Sequence, residues 1–380
     1  MEGVEGMHKI FAINPGSTST KIAMFEDGQE TFSRNVAHDA AVLKAFHEIS
    51  EQFDYRRQTI LHELAEAGQS LKGVEAFSAR GGGLVNIEGG VYEINDILLS
   101  HARQGFTVKH PATLGAQLAE AFRRQYGGRA FVVNPPDVDE FIDKARVTGL
   151  KGIYRESRIH ALNQKEIAIR YAEQRGTTPE KLNLIICHIG GGISVTAHRA
   201  GRMIDSNDIA NGDGPFAPTR CGQLPVRDVI RLCFSGEFTA KQMYDKVTKT
   251  GGLVDHLGTS DAREVSARIK KGDSYAKLIY DAMIYQIAKA AGAMAAVLCG
   301  RVDGIVLTGG ISHDAYLVSQ LKKHLGFLGQ IEVMAGEFEM EALAAGAVRV
   351  LQGREVPKVY TGIPVWNGFS ANEKKQEGIS

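Results

Sequence analysis

The sequence predicts an α/β protein of two similar domains facing one another across a cleft. Three observations carry that prediction. A strand–turn–strand pattern near the start, "HKIFAIN" then "PGSTST" then "KIAMFE", returns as "LNLIICHIGGGISVTAHRAGRMID", and Gly16 to Gly28 is spaced much as Gly190 to Gly201. Late in each half an apolar strand ends in glycines, "GVEAFSARGGG" in residues 73–83 and "VDGIVLTGG" in residues 302–310. Helical segments lie between. Three strands followed by alternating helices and strands, repeated once, is the grammar of a duplicated α/β architecture.

Each element follows from its residues. "HKIFAIN" is a short apolar run, the mark of a buried strand, and "KIAMFE" resumes it after the Gly/Ser/Thr turn. "DG" then forms a tight turn into a third strand, "QETFSRNVA". "PATLGAQLAEAFRRQYG" reads as a helix. In "SYAKLIYDAMIYQIAKAAGAMAAVLCG", Ile279, Met283, Ile287, Ala290, Met294 and Val297 recur at spacings of three or four, a buried helical stripe.

Composition sets the outer limits. At 380 residues two domains are expected, here residues 1 to about 155, completed by a returning segment of about 346–380, and residues 156–345. Lys plus Arg equal Asp plus Glu at 44 each, so no global field draws the chain to nucleic acid or a membrane. No apolar run has the length of a membrane span. "MEGVEGMHK" is unlike a secretory signal, and Met7 is an alternative start. Cys187, Cys221, Cys233 and Cys299 form no CxxC pair and read as buried reduced thiols, which places the protein in the cytoplasm.

Ligands of open α/β sheets sit beyond the strand ends, and glycine lets backbone N–H groups approach anionic oxygens closely. Any one glycine-rich turn is usually only a turn. Three of them in register across a duplication point to phosphate.

The residues then resemble a known family. Asn14-Pro-Gly-Ser-Thr-Ser-Thr-Lys21 matches N-x-G-S-[ST]-S-x-K, the first signature of the acetate and butyrate kinase (acetokinase) family, at every fixed position. "HIGGGIS" resembles its second phosphate turn, "VDGIVLTGGIS" its adenosine-side motif, and "HPAT", "RIHALNQK" and "PTRCG" follow in family order. "ARGGG", "HALNQK" and "GDGPFAPTRCGQLP" resemble the butyrate branch. The resemblance implies two actin-like (ribonuclease H-like) domains around a nucleotide-binding cleft, ATP with Mg²⁺, and reversible phosphorylation of a short-chain fatty acid to an acyl phosphate. It also implies a homodimer or larger assembly.

A carboxylate with a pKa near ~4.3, by analogy with Glu, is already ionised at neutral pH. It needs no general base, only cations and neutral donors that let two anions meet in line. By resemblance Arg220 is the catalytic arginine, Arg80 a second carboxylate clamp, His160 the contact to the transferring phosphoryl group, and His110 a neighbour of the acyl pocket. Ser17, Thr18, Ser19 and Lys21 serve the nucleotide phosphates, as do His188, Gly190, Gly191 and Gly192, while Gly309 and Gly310 serve the adenosine side. Asn14 lies near the metal. Asn134 stands where the family has an acidic metal residue, with Asp137 and Asp139 as alternatives, and Glu337 is the remaining acidic candidate, with Glu339 as its rival. Sugar or glycerol kinases usually place Asp at the position of Asn14. A sensor or assembly protein on the same scaffold would not need Arg220 and His160 together.

Overall fold

A computed structural model describes residues 8–107 and 109–369. The chain forms two compact units: one takes it up to Asp139 and again from Phe338, the other takes Glu140–Glu337.

In the first unit, β1 (Lys9–Pro15), β2 (Ser19–Glu26) and β3 (Gln29–Ala37) form an antiparallel meander. The β2–β3 connection is Asp27–Gly28, both at positive φ, which matches the right-handed twist of a hairpin. β4 (Ala76–Ala79) lies parallel to β1, and β6 (Arg129–Val133) parallel to β4. β5 (Val91–Glu93) extends this sheet. Phe11, Ile13, Phe77 and Ala79 pack on Leu114, Leu118 and Phe122 of the helix Leu114–Tyr126. The opposite face meets the helix Glu339–Leu351, where the Ser78 hydroxyl donates to the Leu343 carbonyl at 2.6 Å.

The second unit repeats the order. β7 (Asn183–Ile189), β8 (Ile193–Arg199) and β9 (Arg202–Ser206) form the meander, again with two positive-φ residues, Ala200 and Gly201, between the last two strands. β10 (Gly304–Gly309) is parallel to β7, and β11 (Ile331–Ala335) to β10. The sheets therefore share one core topology, β3-β2-β1-β4-β6 and β9-β8-β7-β10-β11, with β5 and β12 (Lys358–Val359) added to the first. The helix Ser274–Val297 buries Ile279, Met283, Ile287 and Met294 against the second sheet, with Ala290 and Val297 half-buried beside them.

The unit boundaries differ from those expected at about 155 and 345. Glu140 and Ile142 already bond to the second sheet: the Glu140 carboxylate accepts from Met203 N at 2.7 Å, and Ile142 N donates to Ile204 O at 3.1 Å. The helix from Glu339 packs on the first sheet, so that unit resumes at Phe338. Hydrophobic periodicity marks such a helix but not the sheet it covers. The alternative start at Met7, and residues 370–380 of the returning segment, lie outside the described residues. All four cysteines are free, but only Cys187 is buried; Cys221 is half-buried, and Cys233 and Cys299 are exposed. A scattered cysteine says nothing about which face it occupies. Among the described residues no helix is long and apolar enough to cross a membrane.

Candidate active site

The turn between β1 and β2 is closed by Gly16 N donating to Ser19 O at 2.7 Å. Ser17 and Thr18 are exposed at its tip, Ser19 is half-buried, and Lys21 lies exposed on β2 opposite Asn14. Beneath the turn sits Arg56, 0 % exposed, whose Nη1 donates to Gly16 O at 2.9 Å and Nη2 to Ser17 O at 3.1 Å.

Asn14 ends the first strand's buried run and points its amide at the helix Glu339–Leu351. Nδ2 donates to Glu339 Oε2 at 2.6 Å, while Glu339 Oε1 pairs with Arg80 Nη1 at 3.4 Å. Arg80 is fixed by its own backbone, since Arg80 N donates to Ile13 O at 3.0 Å just past β4. A Cβ at Gly115 would lie 2.2 Å from Arg80 O, so only glycine lets the next helix approach so closely. That approach brings in His110, whose Nδ1 accepts from Ala112 N at 3.1 Å. Burial, then the charges of Arg80 and Arg56, hold the His110 pKa below its ordinary value. A neutral ring accepting at Nδ1 carries its proton on Nε2 and is a donor there.

Asn134 has its side-chain oxygen engaged elsewhere. It sits at positive φ, and its Oδ1 accepts from Gly90 N at 2.7 Å, which ties two loops together. Asp137 accepts from Leu84 N at 3.2 Å and Thr107 Oγ1 at 2.9 Å, and Asp139 accepts from Asn86 Nδ2 at 3.1 Å. An asparagine suffices where the contact is a backbone N–H.

In the second unit the turn after β7 is closed by Gly190 N donating to Gly192 O at 3.0 Å. His160, at the start of the helix Ala161–Glu173, stacks on His188 with ring centroids 3.9 Å apart and an interplanar angle of 17°. His160 Nδ1 lies 2.9 Å from Ser194 Oγ, and His188 Nδ1 lies 3.0 Å from Asn163 Oδ1. Gln164 Nε2 in turn donates to Ser194 Oγ at 3.0 Å. Both rings are thus oriented by polar groups behind them.

Arg220 reaches the same place from a clamped loop, in which Ala217 N donates to Arg220 O at 3.0 Å and Cys221 N to Val247 O at 3.2 Å. Its guanidinium lies over Gly192: a Cβ there would sit 1.6 Å from Arg220 Nη1 and 3.4 Å from His160 Cε1. Nη1 is buried and has no hydrogen-bond partner. Burial pulls the guanidinium below its ordinary pKa, with Asp208 opposing. A guanidinium with one nitrogen short of both water and acceptors gains from an arriving anion.

Gly309, at positive φ, packs so closely that a Cβ would lie 2.4 Å from Ile189 O; Gly310 follows beside Gly190 and Gly191. Gly310, Gly190 and Gly191 border a cavity of about 940 Å³ whose wall includes Ala267, Ile311, Tyr316 and Glu337. Glu337 therefore lies near the second glycine turn, while Glu339 is the acid beside Asn14.

The sequence reading missed Arg56, Asn163, Ser194 and Gln164. Asn163 and Gln164 were within reach: they follow His160 by three and four residues, which on a helix is one face. Nothing local marks Arg56.

Two glycine-rich turns on duplicated sheets, with Arg80 and His110 in the first unit and Arg220, His160 and His188 at the turn of the second, suit a phosphoryl-transfer protein. A model of the acetokinase family matches residues 150–345. The chain is 45% identical over 93% of its length, and 100% of the relative's, to a protein named probable butyrate kinase 2 from Caldanaerobacter subterraneus subsp. tengcongensis. Porphyromonas gingivalis acetate kinase superposes with a TM-score of 0.73 at 19% identity, covering 90% of this chain and 100% of that one. A propionate kinase from Francisella tularensis gives 0.70 at 20% identity, covering 90% and 99%. The fold is thus actin-like. The chain belongs to the acetokinase family, ATP-using kinases of short-chain carboxylic acids.

Proposed function

We propose that the protein transfers the γ-phosphoryl group of ATP to butyrate or another four-carbon acid, reversibly. A carboxylate oxygen attacks the γ-phosphorus in line, the bond to the β-phosphate oxygen breaks, and its electron pair leaves with ADP. The acid is already an anion, so no base is required. The observation that carries this reading is the buried Nη1 of Arg220, unpartnered, over the glycine turn and beside His160. Arg220 draws the carboxylate and the transferring group together, and His160 donates a hydrogen bond to the equatorial oxygens. Ser17, Thr18, Ser19 and Lys21 bind nucleotide phosphates from the first unit. His188 and residues 190–192 do so from the second, where Gly309 and Gly310 border the nucleoside. Arg80 and His110 supply a further cation and donor for the acid.

The residues present fit Mg²⁺. Glu339 and the Asn14 carbonyl oxygen are hard donors, few enough to leave the ion most of its water. Bound there, Mg²⁺ would supply neutralisation of phosphate charge. Glu339 is the better acid for it than Glu337, and Asn134 is not needed. Four free thiols fit a reducing cytoplasm. We infer a homodimer or larger assembly from the family resemblance.

The relative's name supports the chain length. Each buried methylene is worth roughly 0.8 kcal/mol, so butyrate exceeds acetate by about 1.6 kcal/mol, or roughly fifteenfold. Acyl hydroxamate formation with acetate, propionate, butyrate, isobutyrate and valerate should give the highest kcat/KM with a four-carbon acid and at least a several-fold lower value with acetate. Acetate as best substrate would overturn the chain-length assignment and leave the chemistry standing.

A further inference from the structure

Arg56 lies on the helix Phe53–Glu66 and is 0 % exposed. Its Nε donates to Gln52 Oε1 at 3.0 Å, Nη1 to Gly16 O, to Thr20 Oγ1 at 3.2 Å and to Ser19 O at 3.4 Å, and Nη2 to Ser17 O. No carboxylate is among these partners. Buried cations are ordinarily paired with an acid, because desolvation is otherwise uncompensated. Thr20, which accepts from Arg56, also meets a ring that is no acid: His38 Nε2 lies 2.8 Å from Thr20 Oγ1, and burial keeps that ring neutral at ordinary pH.

The geometry has a consequence for the turn. In a planar trans peptide the N–H points opposite to the C=O. Pinning the Gly16 and Ser17 carbonyls inward on one guanidinium therefore aims the Ser17 and Thr18 N–H groups outward, as in anion-binding backbone nests. The charge behind the turn adds to the same field.

We propose that Arg56 is the positioning residue of this turn: it fixes the amides toward the nucleotide's phosphates, which act as its missing counter-charge. The proposal rests on the reading that residues 17–19 bind phosphate. R56M removes the charge and the fork; R56K keeps a charge but cannot fork to several carbonyls. The expected result for R56M is a KM for ATP raised tenfold or more, with kcat and the KM for the acid within threefold. R56K should fall between R56M and wild type. The rise in melting temperature caused by ADP should shrink in the same order, a readout that a purely structural role would not move. An unchanged KM for ATP and an unchanged ADP shift in a folded variant overturn the proposal; if R56M does not fold, R56K alone decides. The double variant S17A/T18A separates the two readings. If it raises the KM for ATP while R56K and R56M do not, the phosphate turn stands and Arg56 falls. If none of them raises it, Arg56 falls, and the hydroxyls of residues 17 and 18 carry no part of nucleotide binding.

Discussion

Arg220 and His160 lie against the same glycine yet answer different needs. In the proposed reaction the arginine offers charge where two anions meet, so its effect is expected on the transition state more than on nucleotide binding. R220A should lower kcat by at least about a hundredfold, the scale for loss of one preorganised donor, while ADP affinity measured by calorimetry stays within a few-fold. His160 offers one hydrogen bond from a ring held by Ser194. H160A should reduce turnover with little change in melting temperature, and H160Q should retain more activity because its amide can still donate. A collapse of melting in H160A would make the histidine a core residue instead. Both residues were legible because each stands in a distinctive string. The acid near Asn14 was not: Glu337 and Glu339 are two residues apart, and only the helix starting at Glu339 decides which one faces Asn14.

At the scale of elements, the glycines do two jobs that a sequence cannot separate. Some are proposed to cradle anions; others allow contact. Gly115 admits Arg80's carbonyl and Gly309 admits Ile189's, partners 35 and 120 residues away in the chain, too distant for any local pattern to reveal. Gly192 stands in a proposed phosphate turn and also allows contact, since its missing side chain is the space the guanidinium occupies. G192A should therefore displace Arg220 and lower kcat by about as much as R220A, on the order of a hundredfold, because the same donor is lost. Its melting temperature should stay within a few degrees, since this is the far end of a flexible side chain and not backbone. A crystal structure of G192A with Arg220 unmoved, or normal turnover, would contradict this. The strands, hairpins and long helix were foreseeable because periodicity and turn residues are local signals. β5 and β12 were not, being three and two residues long with no pattern of their own.

Over the whole molecule, each unit buries a histidine that must stay neutral. Burial, then Arg56, lowers His38 to about 4; burial, then Lys165, lowers His198 to about 3. Unfolded, both would titrate near ~6.5, so between that pH and the native values the unfolded chain holds more protons. Stability is then full above about pH 6.5 and falls as the pH drops toward 4. Asp205 and Asp208, raised by burial, act in the opposite sense nearer pH 4, so the clean window is pH 6.5 to 5. Melting temperature should fall across it, and H38Q/H198Q should flatten the slope; a flat wild-type curve would count against it. The duplication was readable from glycine spacing, and so was the return of the chain to the first unit; only its starting point, Phe338 and not about 346, was not. That return dictates an order of events during translation. Residues 140–337 are contiguous and can close on themselves as soon as they emerge from the ribosome, ahead of the N-terminal unit that was synthesised before them. The earlier segment must wait for Glu339–Leu351, the helix that covers one face of its sheet and carries the acid facing Asn14. A nascent chain can thus complete its middle first, and the pairing of Asn14 with Glu339 forms only after that middle unit has been made.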